Sequence, residues 1–217
     1  MGASLENPLQ PIALLISLFV LFAKWQEKPR LRVLLGKAPF SEGEDDTTRW
    51  RFAHISVENA RAPRIVRWLT YRQTAQRTRL DLSFSAEDGT VPKFSFEGRW
   101  SANPEPYQER LIDGQVQKGF DPWLVHMGRF KDITSGDTPD EVAVAVKAEG
   151  ETDCYGFTNE SYYGHHWRVP EYRLPVGTYR ITATAISGEV RSDSQEFLLH
   201  NDGPSLSDLW LDTPKRR

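Results

Sequence analysis

The regular alternation of apolar and polar residues is the feature that most restricts the fold of this 217-residue chain. Between Arg79 and Ser85, the residues Leu80, Leu82 and Phe84 fall on one face of an extended chain and polar residues fall on the other. Because successive side chains of a strand point to opposite faces, this spacing predicts a half-buried β-strand. The same alternation recurs in three further segments, at residues 31–35, 52–58 and 142–147.

Two pairs of segments predict β-hairpins. Residues 79–85 are followed by the turn sequence Glu87-Asp88-Gly89 and then by Phe94-Ser95-Phe96, and residues 177–185 lead through Gly188 to residues 195–199. An Asp-Gly pair between apolar segments is a strong hairpin signal. Beyond the N-terminal apolar run, about 190 residues are enough for one ordinary domain. We therefore expect an all-β antiparallel sandwich with Greek-key-like connections.

Four segments are less regular. Residues 62–76 are compatible with a twisted strand or with a short basic helix. Residues 36–48 are polar and acidic, which predicts a mobile excursion. Residues 104–128 form a long connection with weak periodicity, and the apolar residues of the C-terminal tail suggest a short docked helix.

Several motifs in the body resemble those of a known family. They are Val57-Glu58-Asn59, the strand from Leu80 to Phe84, the segment from Arg99 to Pro106, the segment from Asp132 to Asp137, and the segment from Leu174 to Tyr179. Together they resemble immunoglobulin-like domains of uncharacterised prokaryotic single-pass membrane proteins, over about Arg49 to Asn201. The resemblance implies an immunoglobulin-like β-sandwich. It implies little about function, since such sandwiches serve many roles.

The N-terminal region contains the strongest apolar run of the chain. Ile12 to Ala23 is apolar except for Ser17. The run is short for a membrane span, which needs about 17 to 25 residues, but its flanking residues extend it to the lower end of that range. A signal peptide would carry basic residues before the run and a small-residue cleavage site after it, and neither is present. We therefore expect an N-terminal transmembrane helix, with a buried core helix and a signal peptide as the alternatives.

The charges around the run predict its orientation. Basic and aromatic residues follow it closely, namely Lys24, Trp25, Lys28, Arg30 and Arg32, and no Lys or Arg precedes it. The positive-inside rule then places the C-terminal body in the cytoplasm, at the cell membrane. The single cysteine, Cys154, fits a reducing compartment. These considerations divide the chain into an anchor at 1–27, a juxtamembrane strand and acidic linker at 28–48, the sandwich at 49–201 and a tail at 202–217.

Few residues suggest chemistry. His165 and His166 lie near Cys154, but adjacent histidines on a strand point apart, and no metal-ligand spacing supports them. Nothing around Cys154 resembles a nucleophile motif, so a small buried side chain is expected there. We accordingly expect no catalytic residue, no metal and no cofactor. The net charge of −3 also argues against a nucleic-acid partner.

Aromatic residues offer a possible binding surface. Trp100, Tyr107, Trp123 and Trp167 are candidates for a surface that contacts a sugar, a peptide or a partner protein. The alternative is that Trp100 fills the sandwich core. A basic stretch between Arg61 and Arg79 is compatible with anionic lipid or with a solvated face.

From these features we expect a membrane-anchored, non-catalytic interaction or scaffolding protein. Its partners would be membrane lipid, through the N-terminal helix, and a protein at the inner face of the membrane. Two alternatives stay open at this point. One is a carbohydrate- or peptide-binding module that uses the aromatic surface, and the other is a divergent hydrolase or metalloprotein.

Overall fold

The computed structural model describes residues 9–36, 39–44, 48–68, 70–87, 92–112, 115–163, 167–188 and 190–214. In these ranges the α-helices are α1 (Leu9–Glu27) and α2 (Pro122–Met127). The strands, in chain order, are β1 (Leu31–Leu34), β2 (Phe40–Glu44), β3 (Arg49–Asn59), β4 (Ala75–Ala86), β5 (Pro92–Glu97), β6 (Arg99–Trp100), β7 (Tyr107–Ile112), β8 (Gln115–Phe120), β9 (Lys131–Ile133), β10 (Asp140–Ala148), β11 (Cys154–Gly156), β12 (Arg173–Leu174), β13 (Gly177–Ile186), β14 (Gln195–Asn201) and β15 (Leu209–Asp212).

Most of these strands form two antiparallel sheets. In the first sheet the order is β1-β3-β10-β11-β12, with β2 beside β3 and β6 beside β10. In the second sheet the order is β15-β14-β13-β4-β5, with β9 beside β4. The chain passes repeatedly from one sheet to the other, which buries the facing surfaces of both. This architecture is consistent with the predicted β-sandwich.

The two predicted strand pairs are confirmed. β4 pairs with β5, with Leu82 opposite Phe96, and β13 pairs with β14, with Ile181 opposite Phe197. The predicted inner face of β4 is also confirmed, because Leu80, Leu82 and Phe84 are buried.

The main core lies between the two sheets. Its largest fully buried apolar side chains come from both sheets and include Ile55, Leu80, Phe84, Trp100, Ile181, Phe197 and Leu199. Burying a side chain of this size contributes about 1.5–3 kcal/mol relative to leaving it in water. Trp100 fills this core from β6, a strand of only two residues that pairs with β10.

A β-bulge in β10 changes the alternation expected from the sequence. The register between β10 and β3 shifts between Ala143 and Ala145. As a result, Val144 and Ala145 both belong to the main core, and Val146 turns to the opposite face of the sheet. Lys147, which strict alternation places on the polar face, is fully buried instead. A bulge has this effect because it adds one residue to one strand of a pair and reverses the faces beyond it.

The buried Lys147 is held by a buried asparagine. Its ammonium group donates to Asn201 Oδ1 at 2.6 Å and to the carbonyl of Thr152 at 3.3 Å. The Asn201 amide group in turn donates to the carbonyls of Thr152 and Leu174, at 2.9 Å and 3.0 Å. Burial lowers the pKa of Lys147, although nearby acidic groups act in the opposite direction. Asn201 therefore joins the two sheets at one end of the sandwich, which we call the distal end.

A second buried asparagine lies at the opposite end, which we call the proximal end. Asn59, the last residue of β3, accepts a hydrogen bond from the backbone N–H of Arg30 at 2.9 Å. Its amide group donates to the carbonyls of Gln73, at 2.8 Å, and Ile133, at 3.2 Å. Asn59 thus fixes the start of β1, the segment before β4 and the end of β9 together. β13 spans ten residues, and at about 3.3 Å per residue the two ends are about 30 Å apart.

The sheets extend beyond the segment that the sequence suggested for the sandwich. β1 pairs with β3, and its residues Leu31 and Val33 belong to the main core. β2 pairs with β3 and occupies part of the segment expected to be a mobile linker. In the tail, β15 pairs with β14 after one turn of 3₁₀-helix, so the expected docked helix is mainly a strand.

Two further segments gain a definite structure. The connection from residue 104 to 128 contains the hairpin of β7 and β8, followed by α2. Strand and helix were both open for residues 62–76. Ala75 and Gln76 begin β4, and the described residues 62–68 and 70–74 belong to neither a strand nor a helix. They make a turn at residues 64–68, in which the N–H groups of Val66 and Arg67 both donate to the carbonyl of Pro63 at 3.1 Å.

Candidate functional site

The surface of α1 is apolar on all sides and exposed. Nine large apolar side chains between Ile12 and Phe22 are each between 44% and 67% exposed. They are distributed around the whole helix, since consecutive residues are about 100° apart. The one polar side chain of this segment, Ser17, donates to the carbonyl of Ala13 at 2.9 Å and so satisfies its hydroxyl within the helix.

Among the described residues, the hydrogen bonds between the body and this helix all involve the C-terminal end of the helix. The backbone N–H of Gln73 donates to the carbonyl of Glu27 at 2.7 Å. The Arg72 guanidinium donates to the carbonyl of Lys28 at 2.8 Å and to Gln26 Oε1 at 3.2 Å. The helix is therefore attached at its base to the proximal end of the sandwich.

The predicted flanking residues surround this base. Lys24 and Trp25 lie in the last turns of α1, and Lys28, Arg30 and Arg32 follow it with exposed side chains. Arg32 lies 3.8 Å from the carboxylate of Glu58. Among the residues that the structure describes, none of the helices has the combined length and hydropathy needed to cross a lipid bilayer.

The structure does not bring the four predicted aromatic residues together on one surface. Trp100 is fully buried in the main core, as the alternative interpretation expected, and therefore cannot contribute to a surface. Tyr107 and Trp123 are exposed. Trp167 is partly buried and packs edge-on against Trp50, with ring centroids 4.8 Å apart.

Trp167 belongs to an aromatic cluster on the outer face of the first sheet. There, Trp50 and Phe52 of β3 meet Phe157 and Tyr162. The fully buried Arg99 supports this cluster, because its guanidinium lies 4.6 Å from the Tyr162 ring centroid and donates to Asn159 Oδ1 at 2.6 Å. Burial raises the pKa of Tyr162. The first sheet is thus covered on both faces.

Next to this cluster lies an exposed aromatic patch that sequence reasoning only partly identified. Tyr107, Phe120 and Tyr163 form it, with ring centroids 5.6 Å apart between Tyr107 and Phe120 and 5.4 Å apart between Phe120 and Tyr163. All three side chains are exposed. We call these three residues the aromatic patch. In the sequence, only the aromatic content indicated this patch, because Phe120 and Tyr163 are far from Tyr107 in the chain and do not belong to a motif.

A cavity of about 220 Å³ adjoins the aromatic patch at Tyr163. Its lining combines aromatic and polar groups, among them Glu97, His126, Arg129, Glu160 and Tyr172. Glu97 and Arg129, which both line it, form an ion pair at 2.9 Å. Such a mixture of ring surfaces with charged groups suits a small polar ligand or a peptide side chain.

The structure describes only some of the titratable residues that the sequence suggested for chemistry. Cys154 is confirmed as a small buried side chain, and burial raises the pKa of its thiol to about 12. The thiol is therefore protonated at neutral pH. His165 and His166 lie outside the described residues. In the described ranges, His, Cys, Asp and Glu side chains do not come together in groups of three or more that could hold a metal ion.

One buried histidine was not identified from the sequence. His54, on β3, lies between Ser41 and Ser101, whose hydroxyl oxygens are 2.6 Å from Nε2 and 2.9 Å from Nδ1. Burial lowers the pKa of His54 to about 4, so the imidazole is neutral at neutral pH. The three side chains connect β2, β3 and the end of β6, which makes His54 part of the framework beneath the aromatic cluster.

Comparison with known proteins provides no further assignment. No protein-family model, no curated protein and no solved structure matches the chain.

Proposed function

We propose that this protein is a membrane-anchored, non-catalytic interaction module. In this proposal α1 is buried in the lipid of the cell membrane, and the β-sandwich lies at the cytoplasmic face, where it binds or organises a protein partner. The observation that carries the proposal is the exposed, all-round apolar surface of α1. A helix that is apolar on every side is stable only where an apolar environment surrounds it, and the body covers only its base.

The energetic argument favours lipid as that environment. Moving a large apolar side chain out of water contributes about 1.5–3 kcal/mol, so nine of them provide a strong driving force for insertion. Lys24 and Trp25 occupy the positions in which basic and aromatic residues favour the membrane–water interface. The basic residues that follow favour the cytoplasmic side of the membrane for the body.

The fold adds support for an immunoglobulin-like body. In immunoglobulin-like sandwiches a tyrosine near the start of a strand often bonds back to the backbone a few residues upstream. Tyr179 has this arrangement, since its hydroxyl donates to the carbonyl of Pro175 at 2.8 Å. We therefore include an immunoglobulin-like sandwich in the proposal, as the scaffold that presents the binding surfaces.

Vesicle flotation of the full chain tests the anchor. Wild-type protein is expected to float with phosphatidylcholine vesicles, and the variant Leu18→Glu is expected to float at least about ten-fold less, because a charged residue at the centre of an inserted helix costs about 2.5–3.5 kcal/mol. Met127→Glu is the matched control, since Met127 is an exposed apolar residue of the body. It is expected to float like wild type. Equal flotation of both variants, or no flotation of wild type, would contradict the anchor.

A second candidate function is carbohydrate or peptide binding at the aromatic patch, favoured by its position beside the polar cavity. Exposed rings next to hydrogen-bonding groups are typical of such sites. In a glycan and peptide array, the double variant Phe120→Ala/Tyr163→Ala is expected to lose the signal of wild type. Tyr71→Ala, which removes an exposed aromatic ring at the proximal end, is expected to retain it. Binding that survives loss of the patch would rule out this function.

A further inference from the structure

The base of α1 borders a basic groove. This groove has a volume of about 450 Å³ and is lined by Trp25, Lys28, Arg30, Arg72 and Arg191, together with uncharged residues. Among the described residues that line it, four are basic and none is acidic. We call it the basal groove. It lies where the helix joins the proximal end of the sandwich.

Arg72, which lines the basal groove, is a buried cation that lacks a charged partner among the described residues. Its guanidinium donates to a backbone carbonyl and to the neutral side chain of Gln26. Its Nε atom is buried and has no hydrogen-bond partner in the described part of the chain. Burial lowers the pKa of Arg72, and the positive charges of Arg30 and Arg32 lower it further. An anion in the groove would relieve this repulsion.

A second basic groove lies on the other side of Arg72. It has a volume of about 440 Å³, and the described residues that line it include Arg61, Arg67 and Tyr71 but no acidic residue. Residues 60–77 contain five arginines and no Asp or Glu. Positive charge therefore continues from the basal groove onto the turn at residues 64–68.

The residues in and beside this turn also present apolar and aromatic side chains to the outside. Ala62, Val66 and Thr70 are buried and hold the segment against the body. Ile65, Trp68 and Tyr71, in contrast, are 83%, 79% and 88% exposed. The Trp68 indole donates to the carbonyl of Ile65 at 2.9 Å, which fixes the ring on the surface. Tryptophan and tyrosine beside arginine are the residues that favour the headgroup region of a membrane.

We propose that the proximal end of the sandwich binds the phosphate headgroups of anionic phospholipids. This inference rests on the proposed anchor, because a membrane that surrounds α1 ends next to the basal groove. The groove takes the headgroup phosphate, with Arg72 as its buried cation and Lys28, Arg30 and Arg191 around it. Ile65, Trp68 and Tyr71 enter the interface beside it. The body is thereby held in one orientation on the membrane rather than left to rotate on its helix.

A fluorophore on a single introduced cysteine tests this orientation in the full chain. Cys154 is buried with a protonated thiol, so Gln76→Cys, at the exposed start of β4, can be labelled selectively. Val176→Cys provides a reference label at the distal end. Each labelled protein is reconstituted into vesicles that carry a headgroup quencher. One set contains phosphatidylcholine alone, and the other contains about a third phosphatidylglycerol, to supply a negative surface.

We expect quenching at residue 76, but not at residue 176, in the anionic vesicles only. Each basic side chain near an anionic surface contributes about 1 kcal/mol, so Arg30→Gln/Arg191→Gln should lower the ratio of docked to undocked protein by about 30-fold. Arg49→Gln/Arg173→Gln removes the same charge from exposed arginines elsewhere and should leave the quenching unchanged.

The outcomes separate this inference from the anchor. One outcome is that the protein floats but its quenching does not depend on phosphatidylglycerol, or persists in Arg30→Gln/Arg191→Gln. That outcome would overturn the headgroup site and leave the anchor intact. Absence of flotation in wild type would overturn the anchor and the inference together.

Discussion

Replacing Trp100 by alanine is expected to lower the free energy of unfolding by about 4 kcal/mol, because truncating a buried tryptophan loses its burial and leaves a cavity. Trp100 is fully buried between the sheets and lies on β6, which has only two residues. The strand therefore depends on this one side chain for its attachment to the core. With a slope of about 2 kcal/mol per molar urea, the midpoint of unfolding should fall by about 2 M.

Trp100→Phe is the matched control. The indole N–H of Trp100 is buried and has no hydrogen-bond partner among the described residues, so phenylalanine removes an unsatisfied donor while it keeps most of the ring. We expect a loss of less than about 1.5 kcal/mol, because the smaller ring leaves only a small cavity. Urea unfolding followed by circular dichroism measures both variants without relying on tryptophan fluorescence. Equal losses for alanine and phenylalanine would contradict the core role of the ring.

Replacing Asn201 by leucine is expected to lower the free energy of unfolding by about 3 kcal/mol, because it leaves a buried charged group without its hydrogen-bond acceptor. Lys147 would keep only the longer hydrogen bond to the carbonyl of Thr152. The carbonyl of Leu174 would also lose its donor. Since both sheets contribute to this network, the loss should appear in global unfolding.

Lys147→Met tests the contribution of the Lys147 charge separately from the contribution of its packing. Methionine fills a similar volume and needs no acceptor, so this variant is expected to change the free energy of unfolding by less than about 1 kcal/mol. Combining it with Asn201→Leu should recover part of the stability lost by Asn201→Leu alone, because the unpaired cation is then absent. Urea midpoints of the three variants measure this coupling. If the changes in the free energy of unfolding are strictly additive, the Lys147–Asn201 contact contributes no coupling energy, and the prediction is wrong.

The sequence correctly predicted the strands in which apolar and polar residues alternate without interruption. The face of β4 that carries Leu80 and Phe84 is as expected, since nothing interrupts its alternation. β2 was missed, because Phe40–Glu44 has no alternating apolar residues and is held through its pairing with β3. We expected a helix where β15 lies. Two apolar residues, Leu209 and Leu211, are not enough to distinguish the two-residue period of a strand from the period of about 3.6 residues of a helix.

The candidate sites were harder to predict from the sequence than the strands. The apolar character of α1 was visible, because it depends on contiguous residues. The basal groove was not, since Arg30, Arg72 and Arg191 lie far apart in the chain and only the fold brings them together. For Trp100, residue type alone could not distinguish core from surface, because a large ring suits both.

The bulge of β10 has a consequence for how related chains are aligned. Up to Ala143 and from Ala145 onward, β10 follows β3 in two registers that differ by one residue. The length of this strand, as much as its composition, therefore decides whether Lys147 or Val146 reaches the interior. In a relative that lacks the extra residue, an ungapped alignment would match Lys147 with a position on the opposite face. A lysine displaced by one position there would signal the deletion, and a gap placed at Val144 would restore it opposite Asn201.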